Sequence, residues 1–542
     1  MNKKKIVIVG GGSSGWMAAA YLNGYLNRNG RKPSVEIELV ESPDIPRISV
    51  GEATVLSIRH FLSVVGIDEQ EFLKKTDGSF KQAIKYSNWL RNDGSSYYHP
   101  FNRYNSDNVD RVIEKWLATD RSIPFVYYCT AQADICDLGL SPNMLGDWDM
   151  GARFSYAYHM NAQKFADMLR DISVERGVKH TLANVTEIQL KDNGFIDHLN
   201  TDINRTISGD IFVDCTGFRA KLIEEAQGVK WEDCSQWLLC DRAITMHVPY
   251  DKHYPGMVRP YTTATALSNG WIWDIPMQNQ RSIGYVHSSS FIDQDAAEAE
   301  MRAYQGGNTE DLNSRTIYFK VGKRAQAWNG NCVAIGLSNS FIEPLESTGL
   351  YLSDLGSIML AQHFPFDEQQ MESMAFRYNR IMSNKFYEVL DFINMHYCLT
   401  QRTDTEFWKT VQRDEHITDR LKAKFEYWNK KPPSPFDFED QNFNGLNYQP
   451  STASSSLIDP RSPVDTAGIW RHVNYQWILY SMEFENRFGN SLDKNAMKTQ
   501  RPHQILNRLA MAKQKLPTHA EWLQKKVGML EYPTAYKPAG WV

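Results

Sequence analysis

Apolar and polar positions change period several times along the 542-residue chain, and each change marks an element. Lys4 to Val9 is a short β-branched run, which predicts a strand. Gly10-Gly11-Gly12-Ser13-Ser14-Gly15 interrupts it, and Trp16 to Tyr25 has the composition of a helix. Val35 to Glu41 then alternates apolar and polar side chains, as a strand with one buried face does. Asp210-Ile211-Phe212-Val213-Asp214-Cys215-Thr216-Gly217 repeats the passage from strand to glycine turn far downstream, and the portion near 240 to 290 is β-rich. From Leu350 onward the spacing turns helical, in Leu355 to Phe364, Asp367 to Phe392 and His416 to Trp428, until Pro432-Pro433-Ser434-Pro435 breaks it. Asn442 to Asp465, rich in Ser, Asn and Pro, reads as a flexible surface loop. The expected organisation is mixed α/β over residues 1–350 and a helical part over 351–542, the two fused into one compact body.

Composition narrows this further. With 42% hydrophobic and 23% charged residues the chain can bury a sizeable core. A net charge of −5 with both signs interspersed leaves no footprint for nucleic acid or an anionic membrane, so neither partner is expected. The apolar run Ile6 to Val9 is too short for a signal-peptide core, and nothing approaches a membrane-spanning stretch. Seven scattered cysteines without a CxxC pair point to reduced thiols in the cytoplasm and to no metal site.

Strand, glycines, helix, strand and acid arrive in the order of a dinucleotide-binding unit. Gly10 permits the tight turn, Gly12 lets a pyrophosphate approach the backbone beside Ser13, Gly15 allows helix to pack on strand, and Glu41 is placed to accept from a ribose hydroxyl. An NAD site would look much the same locally. The second turn, with Asp214 and Gly217, resembles the later FAD-contact motif of flavoprotein monooxygenases and favours FAD.

Six segments then carry a resemblance to the flavin-dependent halogenases of the tryptophan-halogenase family. Arg47 to Thr54 looks like the family's GEAT stretch, so Val50, Gly51, Glu52 and Ala53 are expected against the flavin ring. Ser79 to Trp89 is similar to its lysine-bearing segment, with Lys81 at the catalytic position; on spacing alone, Phe80, Ala83 and Ile84 would instead form a helical stripe beside a solvated lysine. Trp271-Ile272-Trp273-Asp274-Ile275-Pro276 reproduces the WxWxIP motif, whose indoles are expected to screen the flavin from organic substrate. Val333 to Gly349 resembles the strap between flavin and substrate pockets: Gly336 and Leu337 stand where hydroxylase relatives often have Gly-Asp, Glu346 matches the acid partnered with the lysine, and Thr348 and Gly349 match the amides that hold halide. Tyr98-His99-Pro100-Phe101 is similar to the HPF stretch of the substrate pocket. His396 to Asp404 with Phe407-Trp408 looks like a structural signature, in which an Arg-Asp pair pins helix to loop.

The resemblance implies an FAD-binding, Rossmann-type, monooxygenase-like α/β fold with a β-rich substrate portion and a helical C-terminal part. It implies that FADH2, oxygen and chloride or bromide yield hypohalous acid, which Lys81 passes to an aromatic carbon while Glu346 takes up the ring proton. No second nucleotide fingerprint is present, so a separate NAD(P)H-dependent flavin reductase is expected, and a homodimer by resemblance. Tyrosine-pair-and-glutamate lids that grip free tryptophan have no match in Asn442 to Asp465, where Tyr448 is the only tyrosine, and Trp477 to Glu483 has Ser481 and Glu483 where the family has glycines. An indole-type or broader aromatic substrate is therefore preferred, with free L-tryptophan as the alternative. A flavin monooxygenase and a non-catalytic flavoprotein remain as rivals from other classes.

Overall fold

A computed structural model describes residues 3–27, 35–47, 50–101, 109–146, 153–250, 258–306, 309–438, 469–484 and 497–530. The loop expected over Asn442 to Asp465 lies outside the described residues. Two compact units emerge, each assembled from three stretches: 1–78, 160–235 and 319–386, and 79–159, 236–318 and 387–542. Each unit interleaves distant parts of the chain, because strands that pair in space come from them.

The first unit is built on a six-stranded sheet. Lys4–Val9 lies between Val35–Glu41 and Ile211–Asp214, parallel to both, with Ile6 opposite Ile37 on one side and Ile211 on the other. Lys179–Leu182 extends it at one edge and Cys332–Ala334 with Trp328–Asn329 at the other. Ile6, Val7 and Ile8 are fully buried, as a central strand covered on both faces requires. Helices Ser13–Leu26, Ala162–Glu175 and Gly349–Gln362 pack together, the first making contact with both of the others. Two small antiparallel sheets complete the unit.

The second unit centres on a seven-stranded sheet in the order Ser314–Tyr318, Arg242–Pro249, Gln280–His287, Gly270–Pro276, Thr262–Ala266, Ala83–Ser87, Ser96–Pro100. Every pair is antiparallel except Thr262–Ala266 with Ala83–Ser87. Helix Gln294–Gln305 covers one face through Ala297 and Met301, packed on Ile244, Met246, Ile272 and Ile283. Helix His472–Ser481 joins Ala83 and Tyr98 through Val473, Trp477 and Tyr480. The expected helix over His416 to Trp428 starts at Asp419, because the Thr418 hydroxyl caps it by accepting from Leu421 N–H. All seven cysteines are free thiols. Among the described residues no helix is long and apolar enough to cross a membrane, and no three metal-ligating side chains cluster.

Candidate active site

The first unit gathers the candidate cofactor contacts. Gly10 takes φ +114° at the end of its strand, and a Cβ there would lie 2.2 Å from the Cys215 carbonyl oxygen. A Cβ on Gly15 would lie 1.9 Å from Gly10 O, so helix and strand approach as only glycine allows. At Gly12, the residue preceding helix Ser13–Leu26, a Cβ would meet nothing within 4 Å: the helix N-terminus opens onto free space. Glu41 accepts from Arg47 at 2.7 and 2.9 Å and faces His180 Nε2 at 2.9 Å, so acceptor capacity remains on Oε2. Asp214 is tied into the turn that follows its strand. Its carboxylate is buried and accepts five hydrogen bonds, from Thr216 N–H and hydroxyl, Leu222 N–H, Ile223 N–H and the Ser338 hydroxyl, which knots the turn after its strand. Gly217 in that turn has φ +71°.

The strap from Val333 to Gly349 starts with Gly336 at φ +76°, where a Cβ would collide with Ser14 Oγ at 2.2 Å, and Leu337 follows half-buried. Pro344–Glu346 forms a short 3-10 turn with Glu346 buried; Ser347 then takes φ +60°, a strained value for a residue with a side chain. Thr348 begins helix Gly349–Gln362. Its hydroxyl is fully buried and finds no hydrogen-bond partner among the described residues, while Gly349 is exposed with open space where a Cβ would be. Backbone N–H groups of a first helical turn and an orphan hydroxyl suit a small anion. Gly51, Glu52 and Ala53 form a short strand, Val50 accepts from Ala162 N–H, and desolvation pushes the Glu52 carboxyl up to about 7.

The second unit holds Lys81, His99, Pro100, Phe101, Trp271 and Trp273. Lys81 is fully buried on the strand Ser79–Lys81, not solvated on a helix: the apparent helical spacing of Phe80, Ala83 and Ile84 arises from two strands joined at Gln82. Lys81 Nζ lies 5.1 Å from the centre of the Phe101 ring, a cation–π arrangement. His99 Nε2 accepts from the Asn474 amide at 2.9 Å. Trp271 and Trp273 stand 6.3 Å apart between ring centres, and Trp89 lies 6.4 Å from Trp271. Gly284 faces Trp273 across the strand pair; a Cβ there would sit 2.1 Å from the indole, so glycine lets the ring lie flat on its neighbour. Arg402 bonds Asp404 at 2.7 and 2.9 Å and reaches Asn88 O, which pins the helix end to a loop.

The family model for tryptophan halogenases matches residues 5–493. Tryptophan 6-halogenase SttH of Streptomyces toxytricini is 35% identical over 453 residues, 80% of this chain and 85% of that one. Tryptophan 7-halogenase RebH of Lentzea aerocolonigenes is 35% identical over 494 residues, 85% of this chain and 91% of its own. A crystal structure of a tryptophan halogenase from Shewanella frigidimarina superposes with a TM-score of 0.85 at 30% identity, covering 97% of this chain and 98% of the other. The chain belongs to the tryptophan halogenase family. The expectation of a flavin-dependent halogenase with a mixed α/β fold holds at that level. The open helix N-terminus at Gly12 and the orphan Thr348 hydroxyl fit a flavin dinucleotide and a halide respectively.

The motifs single out none of several further residues around the candidates. Trp470 stacks on Phe392 at 4.2 Å with 4° between planes, and its N–H and that of Ile469 donate to Glu388. Phe392 also lies 5.5 Å from His99. Ser79 donates to Pro276 O at 2.6 Å and meets His159 Nδ1 at 2.9 Å, tying the lysine strand to the end of the WxWxIP strand. A lone Trp and a lone Ser carry no sequence signal; only pairing of distant strands reveals them.

Proposed function

We propose that the protein halogenates an indole-type or broader aromatic carbon, with Lys81 delivering the halogen. The observation that carries this reading is a fully buried lysine whose ammonium lies over the Phe101 ring, in the same unit as His99 and the two indoles. Gly10, Gly12, Ser13 and Gly15 would hold the FAD pyrophosphate, Glu41 the ribose, and Val50 to Ala53 with Gly336 and Leu337 the flavin ring. Reduced FAD, when bound, supplies with oxygen the oxidation of halide to hypohalous acid. Thr348 and Gly349 hold the halide through N–H groups and hydroxyl, which donate without supplying a competing nucleophile. Lys81 receives hypohalous acid, either as ammonium donating to its oxygen or as amine carrying the halogen. The aromatic carbon takes the halogen as a cation equivalent and loses its proton to Glu346, which passes it to the hydroxide left behind to give water. Trp271 and Trp273 keep organic substrate from the flavin. A separate NAD(P)H-dependent flavin reductase supplies reduced FAD.

Free L-tryptophan is the second substrate reading, favoured by the names of the relatives at 35% identity. Incubation with FAD, a flavin reductase, NADH and bromide or chloride, offering indole and L-tryptophan in parallel, decides by mass spectrometry. Halogenated indole without halotryptophan, absent in Lys81→Ala, is expected. Halotryptophan alone would transfer the reading to the amino acid, and a hydroxylated product would sink it.

A further inference from the structure

The backbone that carries Lys81 is clamped from the C-terminal end of the chain. Phe80 N–H, one residue before the lysine, donates to His519 Nε2 at 3.0 Å, and His519 Nδ1 meets Val258 O at 2.8 Å. An amide N–H can only donate and a carbonyl can only accept, so one protonation state satisfies both bonds: neutral imidazole with its proton on Nδ1. Burial acts in the same direction and pushes His519 down to about 4. On the far side of Lys81, Gln82 N–H donates to Pro260 O at 2.7 Å. His519 therefore links the lysine strand to the 258–260 run through Phe80, on the other side of Lys81 from the direct bond between Gln82 and Pro260.

The helix that presents this histidine, His519–Val527, is itself secured. Thr518 caps it by accepting from Glu521 N–H, His519 N–H donates to Gly139 O, Ser141 N–H to Pro517 O, and Trp522 Nε1 to Met144 O. Trp522 packs edge-on against Phe80 at 4.7 Å between ring centres. The family match ends at residue 493, before this element begins.

We infer that His519 is a positioning residue for halogen transfer: through Phe80 it holds the strand that aims Lys81, so that the C-terminal helix sets how efficiently hypohalous acid reaches the aromatic substrate. This rests on Lys81 as the delivering group. Displacing a reacting group by about 1 Å can cost about 100-fold in rate, so loss of this bond reads out in turnover and not in substrate affinity.

The test uses the full-length FAD-loaded enzyme and compares His519→Phe, His519→Gln and His519→Asn with Lys81→Met. Halogenation kcat and KM, product formed per NADH consumed, and Tm are measured for each. His519→Phe fills the volume but bonds neither partner, and is expected to lower kcat and the product-to-NADH ratio about 10- to 100-fold with KM nearly unchanged. The glutamine amide overlies Nε2 and keeps the Phe80 bond, so His519→Gln should recover most of the coupling; the asparagine amide overlies Nδ1, keeps only Val258, and should not. If His519→Phe fails to fold, the glutamine–asparagine comparison decides alone. Equal coupling in those two, or a lowered Tm with coupling intact in His519→Phe, would overturn the inference while leaving Lys81 standing. Full activity in Lys81→Met would remove its foundation.

Discussion

Thr348 and Asp354 stand on one helix, and burial without full compensation shapes both. The Thr348 hydroxyl finds no hydrogen-bond partner among the described residues, whereas desolvation pushes the Asp354 carboxyl up to about 7, with the Ser57 hydroxyl pulling the other way. Between about pH 4, where an exposed aspartate titrates, and about 7, the unfolded chain has released a proton that the folded chain retains. The contribution of Asp354 to stability therefore falls as pH rises through that window and levels off above it, by up to about 1.4 kcal/mol for each pH unit crossed. Asp354→Asn removes the loss. The Tm of the variant relative to the parent is expected to climb between about pH 4 and 7 and to level off above that in a thermal-shift series; a constant difference would mean that the carboxylate ionises freely. Glu52, raised to a similar value by desolvation alone, places a second carboxyl that holds its proton near neutrality in the same unit.

Among elements, the junction of helices Met371–Cys398 and Asp419–Trp428 gathers several hydrogen bonds on one buried carboxylate. Asp391 accepts from Thr418 Oγ1 at 2.7 Å and Arg420 at 2.8 and 2.9 Å, and from Lys424 Nζ at 3.2 Å. Burial alone would raise its pKa, but Lys424, Arg420 and Thr418 more than reverse this and hold it below the usual carboxylate range. Its contribution is present above the ordinary aspartate value near about 4 and is lost as pH falls below that. Asp391→Ala leaves the buried Lys424 ammonium without its carboxylate and is expected to cost about 3–5 kcal/mol in urea unfolding. A change under about 1 kcal/mol would reduce the pair to the worth of a surface contact.

At the scale of the molecule, interleaving predicts that the chain cannot be divided at residue 350. Such a cut removes all but the start of helix Gly349–Gln362, which packs on Ser13–Leu26, and also helix His472–Ser481, whose Trp477 and Tyr480 share a core with Ala83 and Tyr98. A fragment of residues 1–350 is expected to aggregate or to melt without cooperativity by circular dichroism. A sharp transition with FAD retained would show that the first unit completes its core without the later stretch.

Local chemistry determined what could be read from the sequence: the βαβ unit from Lys4 to Glu41, whose glycines answer a steric demand within a few residues, and the Trp-rich strand Gly270–Pro276. Family membership followed from short motifs. What the sequence could not carry was any property that depends on pairing across the chain. Lys81 is buried because Ser79–Lys81 pairs with Ala157–His159; Asp214 knots a turn because Ser338 reaches it; and the lysine strand is held by a histidine 439 residues away from Phe80. Periodicity reports which face of an element is apolar. Which surface meets that face, and which buried donor finds which acceptor, is decided only when the strands assemble.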